Sequence, residues 1–185
     1  MKHGSNRDDV IAAIQHWLTR AVIGLNLCPF AKSVHVKGQI RYVVSEARAV
    51  EDVVVELSQE LRLLQESDPE TVETTLFITP DAFADFDDYN DALFLAERLL
   101  DEMGLAGDLQ IASFHPHYRF EGTEPDDIDN YTNRAPYPVF HLLREASIDR
   151  AVDAFPDAAD IYERNIETLR RLGHDGFSAW MKNKS

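Results

Sequence analysis

The apolar residues of this chain change their spacing several times, between the helical period and the short continuous runs that are typical of buried strands. Three such runs predict strands over residues 40–45, 74–79 and 109–114. Before, between and after them, apolar residues recur every three or four positions and predict amphipathic helices. The resulting order of helix, strand, helix, strand, helix, strand and further helices is the one that stacked βαβ units produce.

Each connection between successive predicted strands contains a full helix, so parallel strands with right-handed crossovers are the default. We expect an α/β fold, an α+β sandwich in which helices pack on a sheet of three or four strands built from βαβ units. A ferredoxin-like arrangement with some antiparallel pairing is the main alternative. The chain is long enough for one domain, spanning residues 1–185. Beyond the third strand we predict a helix over residues 139–146 and a last helix that Gly173 closes.

The charge balance limits the possible partners. The chain has 33 Asp and Glu against 18 Lys and Arg, a formal net charge of -15. Such a surface repels phosphate backbones and anionic membranes, so we expect neither nucleic acid nor a membrane as a partner. There is no secretory signal peptide pattern and no apolar run of membrane-spanning length, so the expected location is cytoplasmic. The sequence leaves the oligomeric state open.

The segment after the third predicted strand is the strongest candidate for a functional site. Residues 113–145 contain three histidines, three arginines and four prolines, and a loop of this length usually carries function or is disordered. In an extended chain alternate side chains share a face, which predicts one ionisable face made of His115, His117, Arg119 and Glu121. This face leaves the carboxyl end of a strand, the edge where open α/β sheets bind ligands. The exits of the other two strands border the same edge if the strands are parallel.

The two loop histidines support two kinds of chemistry. His115 and His117 are candidate catalytic acid–base groups. Imidazoles two residues apart on a strand can also bind one metal ion, with carboxylates from the loop completing the ligand set. A divalent metal is therefore a possible cofactor, whereas a simply solvated polar face is the plain alternative.

The second half of the segment supplies candidate substrate-binding residues. Asn133 and Arg134 precede a stiff Ala-Pro-Tyr-Pro turn, and the predicted helix after it places His141 and Arg144 on one face. Guanidinium groups suit carboxylates and phosphates, so Arg119, Arg134 and Arg144 are predicted to converge on an anion. A local His141–Glu145 pair beside a surface arginine is the other interpretation.

The only cysteine is a third candidate. Pro29 suits the first position of a short helix with Cys28 at its N-cap, and a helix N-terminus lowers a thiol pKa. Cys28 is thus a candidate nucleophile or metal ligand, although a single cysteine is more often a small buried hydrophobic residue. No glycine-rich phosphate loop and no G-x-S-x-G elbow occurs, so a nucleotide cofactor has no support.

Three motifs are similar to those of a known family: GLNLCPFA at residues 24–31, FHPHYRFEG at residues 114–122 and NRAPYPVFHLLRE at residues 133–145. Together, in this order, they resemble the family catalogued as domain of unknown function 1415. The resemblance implies a bacterial-type, single-domain soluble protein. It implies no reaction, so it assigns no catalytic roles.

The leading hypothesis is a small-molecule enzyme or ligand-binding domain that acts on an anionic substrate at the carboxyl end of the sheet. Its predicted walls are residues 114–138 and 24–31, and the missing nucleotide signature favours hydrolysis or group transfer over redox chemistry. A metal-binding protein using His115 and His117 is one alternative. The other is a non-catalytic interaction module whose loop aromatics dock a protein partner. These aromatic residues are Tyr118, Tyr131, Tyr137 and Phe140. The sequence therefore does not decide whether the protein is an enzyme.

Overall fold

Four strands form one mixed sheet in the computed structural model, which describes residues 6–155, 157 and 160–182. The strands are β1 (Ile40–Val44), β2 (Thr74–Ile78), β3 (Leu109–Phe114) and β4 (Val139–Arg144), and their spatial order is β1-β2-β4-β3. β1 is parallel to β2, whereas β4 is antiparallel to both β2 and β3. The α/β fold is confirmed, with one antiparallel strand inserted between two parallel ones.

The two predicted βαβ connections carry the helices that cover one face of the sheet. α3 (Val50–Glu66) joins β1 to β2, and α4 (Phe86–Glu102) joins β2 to β3. Their apolar faces meet the sheet in a core that includes Leu57, Ala96, Phe77 and Leu142. All five residues of β2 are buried, as expected for a central strand that is covered on both faces.

The prediction of a helix over residues 139–146 is wrong, because residues 139–144 form β4 and helix α5 (Glu145–Ala154) begins only afterwards. A short apolar run fits either period, and burial decides between them. As a strand, β4 places Phe140 and Leu142 in the core beneath α3 and α4, and Val139 in the core on the opposite face. Its neighbours on both sides complete its hydrogen-bond ladder.

The opposite face of the sheet is covered by elements from both ends of the chain. These are α1 (Arg7–Trp17), a π-helical turn (Leu18–Ile23), α2 (Ala31–Val36) and α6 (Ile161–Lys182). Ile14 and Trp17 of α1 pack there against Ile78 and Val139. No helix in the described ranges is long and apolar enough to cross a membrane.

Gly173 bends the last helix instead of ending it. Its φ of 65° interrupts α6, which continues to Lys182. The continuation is held on the π-helical turn, where Arg20 Nη2 donates to the Trp180 carbonyl at 2.7 Å and Trp180 Nε1 donates to the Arg20 carbonyl at 2.7 Å. The part of α6 after Gly173 is thus stabilised by a tertiary contact with a distant part of the chain.

Helix α6 also contacts and stabilises the long loop between β3 and β4. That loop contains a 3-10 helix (Ile128–Asn133). Arg170 pairs with Asp129 through two hydrogen bonds of 2.9 and 2.7 Å, and the ring of Phe177 lies 5.0 Å from that of Tyr131. The loop is therefore a packed part of the fold.

Candidate functional site

Asn130 organises the loop from inside. Its side chain is fully buried, and its Oδ1 accepts from the Phe120 amide at 3.0 Å and from the Thr123 hydroxyl at 2.8 Å. Its Nδ2 donates to the Glu124 carbonyl at 2.8 Å. Buried polar groups are costly when they are unpaired, so the loop must keep all three of these hydrogen bonds. Together they close residues 120–130 into one compact turn.

Arg134 stabilises the same turn from outside residues 120–130. Its Nε donates to the Tyr118 carbonyl at 3.2 Å and its Nη2 donates to the Pro125 carbonyl. The guanidinium carbon lies 4.6 Å from the centre of the Tyr131 ring, a cation–π contact. No bond to another described residue occupies Nη1, so part of the guanidinium is free for a ligand.

His115 connects the loop to the segment between β2 and α4. Its Nε2 donates to the Phe83 carbonyl at 2.8 Å, while Nδ1 accepts from the His117 amide at 2.9 Å. Burial lowers the pKa of His115 below the usual histidine value, which favours the neutral ring that this tautomer requires. Both ring nitrogens are therefore used by the backbone, and in this state neither can take a substrate proton or bind a metal.

The predicted ionisable face is broken by a turn directly after β3. The Tyr118 amide donates to the His115 carbonyl at 3.1 Å, and Pro116 occupies the position of such a turn that proline favours. His115 consequently points into the protein and is buried, whereas His117 and Arg119 are exposed. Strict alternation along an extended chain predicts all three side chains on one side, which the turn prevents.

His117, Arg119 and Arg134 meet around a depression of about 290 Å³, which we call the loop pocket. Pro125 and Asp126 complete the loop side, and residues 84–87 at the start of α4 form the rest of the lining. The Tyr89 hydroxyl holds α4 in place, because it donates to the Val139 carbonyl at 2.6 Å and accepts from the Phe114 amide at 3.2 Å. The pocket lies at the carboxyl ends of β2 and β3, where the sequence predicted a site.

Two predicted substrate-binding residues lie outside this pocket. Asn133 Nδ2 donates to the Ser113 carbonyl at 3.0 Å and thereby fixes the exit of β3. Arg144 pairs in register with Leu109 at the start of β3, which is the opposite end of the sheet. The expected convergence of three arginines therefore reduces to Arg119 and Arg134, since β4 carries Arg144 away from the carboxyl edge.

His141 is also separate from the loop pocket. It lies in the middle of β4, in register with Leu76, and its Nε2 is 2.8 Å from the Thr74 hydroxyl. That hydroxyl gives its single proton to the Leu142 carbonyl at 2.6 Å, so the ring must be the donor. Burial lowers the pKa of His141 to about 4, and the expected face shared with Glu145 does not form because residue 141 is on a strand.

We expect His141 to make the protein less stable in mild acid. Its folded-state pKa of about 4 is below the ordinary value of about 6.5, so the unfolded chain takes up a proton first as the pH falls. The stabilisation is complete well above about pH 6.5 and is lost as the pH falls from there towards about 4, so the protein at about pH 5 is about 2 kcal/mol less stable than at about pH 7.5. Urea unfolding of the wild type and of His141→Leu at both pH values measures this loss. A difference between the two proteins that does not change with pH would contradict it.

Cys28 does not have the environment of a reactive thiol. The short helix α2 begins at Ala31, two residues later than Pro29, and Cys28 packs against the core beneath α1. Burial raises the pKa of Cys28, and hydrogen bonds from Phe30 and Ala31 only partly oppose this. The expectation of a lowered thiol pKa is wrong, and residues 24–31 do not line the loop pocket.

The alternatives to a small-molecule site gain no support from the loop geometry. In the described residues, no three His, Cys, Asp or Glu side chains are grouped so that they could hold a metal ion. The loop aromatics are packed inside the molecule: Tyr118 against Phe86 at 5.2 Å, Tyr131 against Phe177, Tyr137 partly buried, and Phe140 buried. An exposed aromatic patch made from these residues is therefore absent.

A larger cleft of about 800 Å³ lies at the carboxyl ends of β1 and β2. Its charged lining has two arginines, Arg7 and Arg48, and four carboxylates, which are those of Glu46, Glu56, Glu60 and Asp81. The exits of β1 and β2 do border the predicted edge, but in a cleft distinct from the loop pocket. Arg48 already pairs there with Asp81 at 3.9 Å, whereas neither arginine of the loop pocket is in an ion pair with a described residue.

The sequence does not reveal that residues at the start of α4 line the loop pocket. Asp85 is the N-cap of α4, its Oδ1 accepting from the Asp87 amide at 2.8 Å. An aspartate before a helical stretch signals a cap, but it does not show that the cap faces a loop about 30 residues further along the chain.

A family model described as a protein of unknown function, DUF1415, matches residues 9–179. The chain belongs to this family, as its three motifs predicted. No curated protein and no solved structure matches the chain. Since the description of the family names no reaction, the geometry of the loop pocket is the basis for a functional proposal.

Proposed function

We propose that the protein binds a small anionic molecule in the loop pocket, as an enzyme of the hydrolase or group-transfer type or as a ligand-binding domain. The observation that carries this proposal is the meeting of Arg119, Arg134 and His117 on one depression at the carboxyl edge of the sheet. Arg119 makes no hydrogen bond or ion pair with any described residue. In a chain with a net charge of -15, two guanidinium groups that face the same pocket are a specific attraction for a carboxylate or phosphate.

The roles of the three side chains differ. Arg119 is exposed and able to move towards the ligand, while Arg134 is held by the loop carbonyls and offers its remaining amino group. His117 is the candidate acid–base group, because its ring is exposed at the pocket. His115 acts as a positioning residue that fixes the backbone of His117 through Nδ1. A cytoplasmic location fits this function and is part of the proposal.

Loss of Arg119 should weaken anion binding. We expect the Arg119→Gln variant to bind propyl phosphate about tenfold more weakly than the wild type, because one charge-assisted contact is worth about 1.5–3 kcal/mol. Amide shifts in NMR titrations at low salt report both the affinity and the position of binding. Arg62→Gln is the matched control, since it removes the same charge from an exposed position on α3 outside the pocket.

Two results would overturn the assignment. One is the absence of saturable shifts in residues 84–87 and 117–134 of the wild type. The other is an equal loss of affinity in Arg119→Gln and Arg62→Gln, which would mean that the anion responds only to net charge.

A further inference from the structure

The lining of the loop pocket carries charges of both signs. Arg119, Arg134 and His117 belong to the loop, whereas Asp85 is the N-cap of α4 and Asp87 lies in the first turn of that helix. Asp126 adds a further carboxylate on the loop side. A ligand that is only an anion would be attracted by the arginines and repelled by the carboxylates.

The charges of opposite sign do not neutralise each other. Among the described residues, no ion pair includes either pocket arginine or any of the three pocket aspartates. Arg134 directs Nε and Nη2 to loop carbonyls instead. Asp85 uses Oδ1 to cap its own helix, which leaves its other oxygen and the Asp87 carboxylate available.

Both signs of charge act on the same buried side chain. Burial is the main reason why the pKa of His115 is lowered, and among the charges His117 and Arg134 lower it while Asp85 raises it. The imidazole bonds to the Phe83 carbonyl on one side and to the His117 amide on the other, so it links the backbone before α4 to the backbone of the loop. The two chain segments that carry the opposite charges are thus joined by a buried side chain.

We infer that the ligand of the loop pocket is a zwitterion, with a carboxylate or phosphate held by Arg119 and Arg134 and an ammonium group held by Asp85 and Asp87. This inference rests on the proposed anion site and adds the second half of the ligand. An ammonium group provides three hydrogen-bond donors and one positive charge, which suit two carboxylates at the end of a short chain.

The test compares phosphoethanolamine with propyl phosphate, two probes of nearly equal shape that end in an ammonium or a methyl group. NMR titrations of the full chain are done at neutral pH and low salt with EDTA present. We expect phosphoethanolamine to bind about tenfold more tightly, which corresponds to about 1.4 kcal/mol. The double variant Asp85→Asn/Asp87→Asn should lose this preference while it still binds propyl phosphate, since asparagine also caps helices well. Asp91→Asn, exposed on α4 outside the pocket, should keep the preference.

The possible failures are distinguishable. Equal affinity for the two probes would overturn the zwitterion but leave the anion site, whereas no binding of either probe would overturn both. A preference that survives in Asp85→Asn/Asp87→Asn would show that the ammonium group is recognised elsewhere. If Mg²⁺ in place of EDTA makes propyl phosphate bind as well as phosphoethanolamine, the carboxylates serve a metal ion and the inference is wrong.

Discussion

Replacing Arg144 by methionine is expected to lower the free energy of unfolding by about 3 kcal/mol and to leave propyl phosphate binding unchanged. Its Nη2 donates to the carbonyls of Leu64, Ser67 and Val72 at 2.7, 2.9 and 2.9 Å. These contacts satisfy the end of α3 and the segment that leads to β2, where unpaired carbonyls are costly. Urea unfolding measures the stability, and the NMR titration measures the binding.

Arg144→Lys provides the matched control. A lysine keeps the charge but cannot span three carbonyls with a planar group, so we expect a loss smaller than in Arg144→Met. A loss of propyl phosphate affinity in folded Arg144→Met would restore the role in ligand binding that the sequence suggested. A change in stability below about 1 kcal/mol would contradict the capping role.

Replacing Asn130 by alanine is expected to remove about 3 kcal/mol of stability and most of the affinity of the loop pocket. The change removes three buried hydrogen bonds and leaves the Phe120 amide and the Glu124 carbonyl without their partner. The turn that places Pro125 and Asp126 at the pocket then loses the contacts that close it. Urea unfolding, and hydrogen exchange of the amides of residues 120–130, measure the effect.

The Asn130→Asp variant separates the stability that comes from the accepted hydrogen bonds from the stability that comes from the donated one. The aspartate can still accept from Phe120 and Thr123, but it cannot donate to Glu124. We therefore expect its stability to lie between those of the wild type and Asn130→Ala. If Asn130→Ala instead binds propyl phosphate as tightly as the wild type, the pocket does not depend on the compact turn.

The fold could be predicted where the spacing of apolar residues along the chain indicates which residues are buried. The runs that became β1, β2 and β3 are short, apolar and separated by helical stretches long enough for crossovers. β4 could not be recognised in the same way, because its six residues fit both periods. Its place between β2 and β3 depends on partners that lie about 30 and 60 residues away in the chain.

The position of the loop pocket could be predicted from the sequence, but the full set of residues that line it could not. The ionisable residues after β3 indicated the carboxyl edge, and His117, Arg119 and Arg134 do line a pocket there. His115 and His117 look equivalent in the sequence, yet a single turn buries one and exposes the other. Arg144 and Cys28 were chosen for their chemistry, and their surroundings give the arginine a capping role and raise the pKa of the thiol.

By itself, the sequence determined the class of fold, the edge of the sheet where charged side chains collect, and the family to which the chain belongs. These properties follow from the spacing of apolar residues and from motifs, which are local. Only the tertiary structure decided which charges share a pocket, because that depends on the antiparallel insertion of β4, on α6 bracing the loop, and on Asp85 and Asp87 facing it from α4. Each of these depends on residues far apart in the chain, which are brought together by the burial of apolar surface.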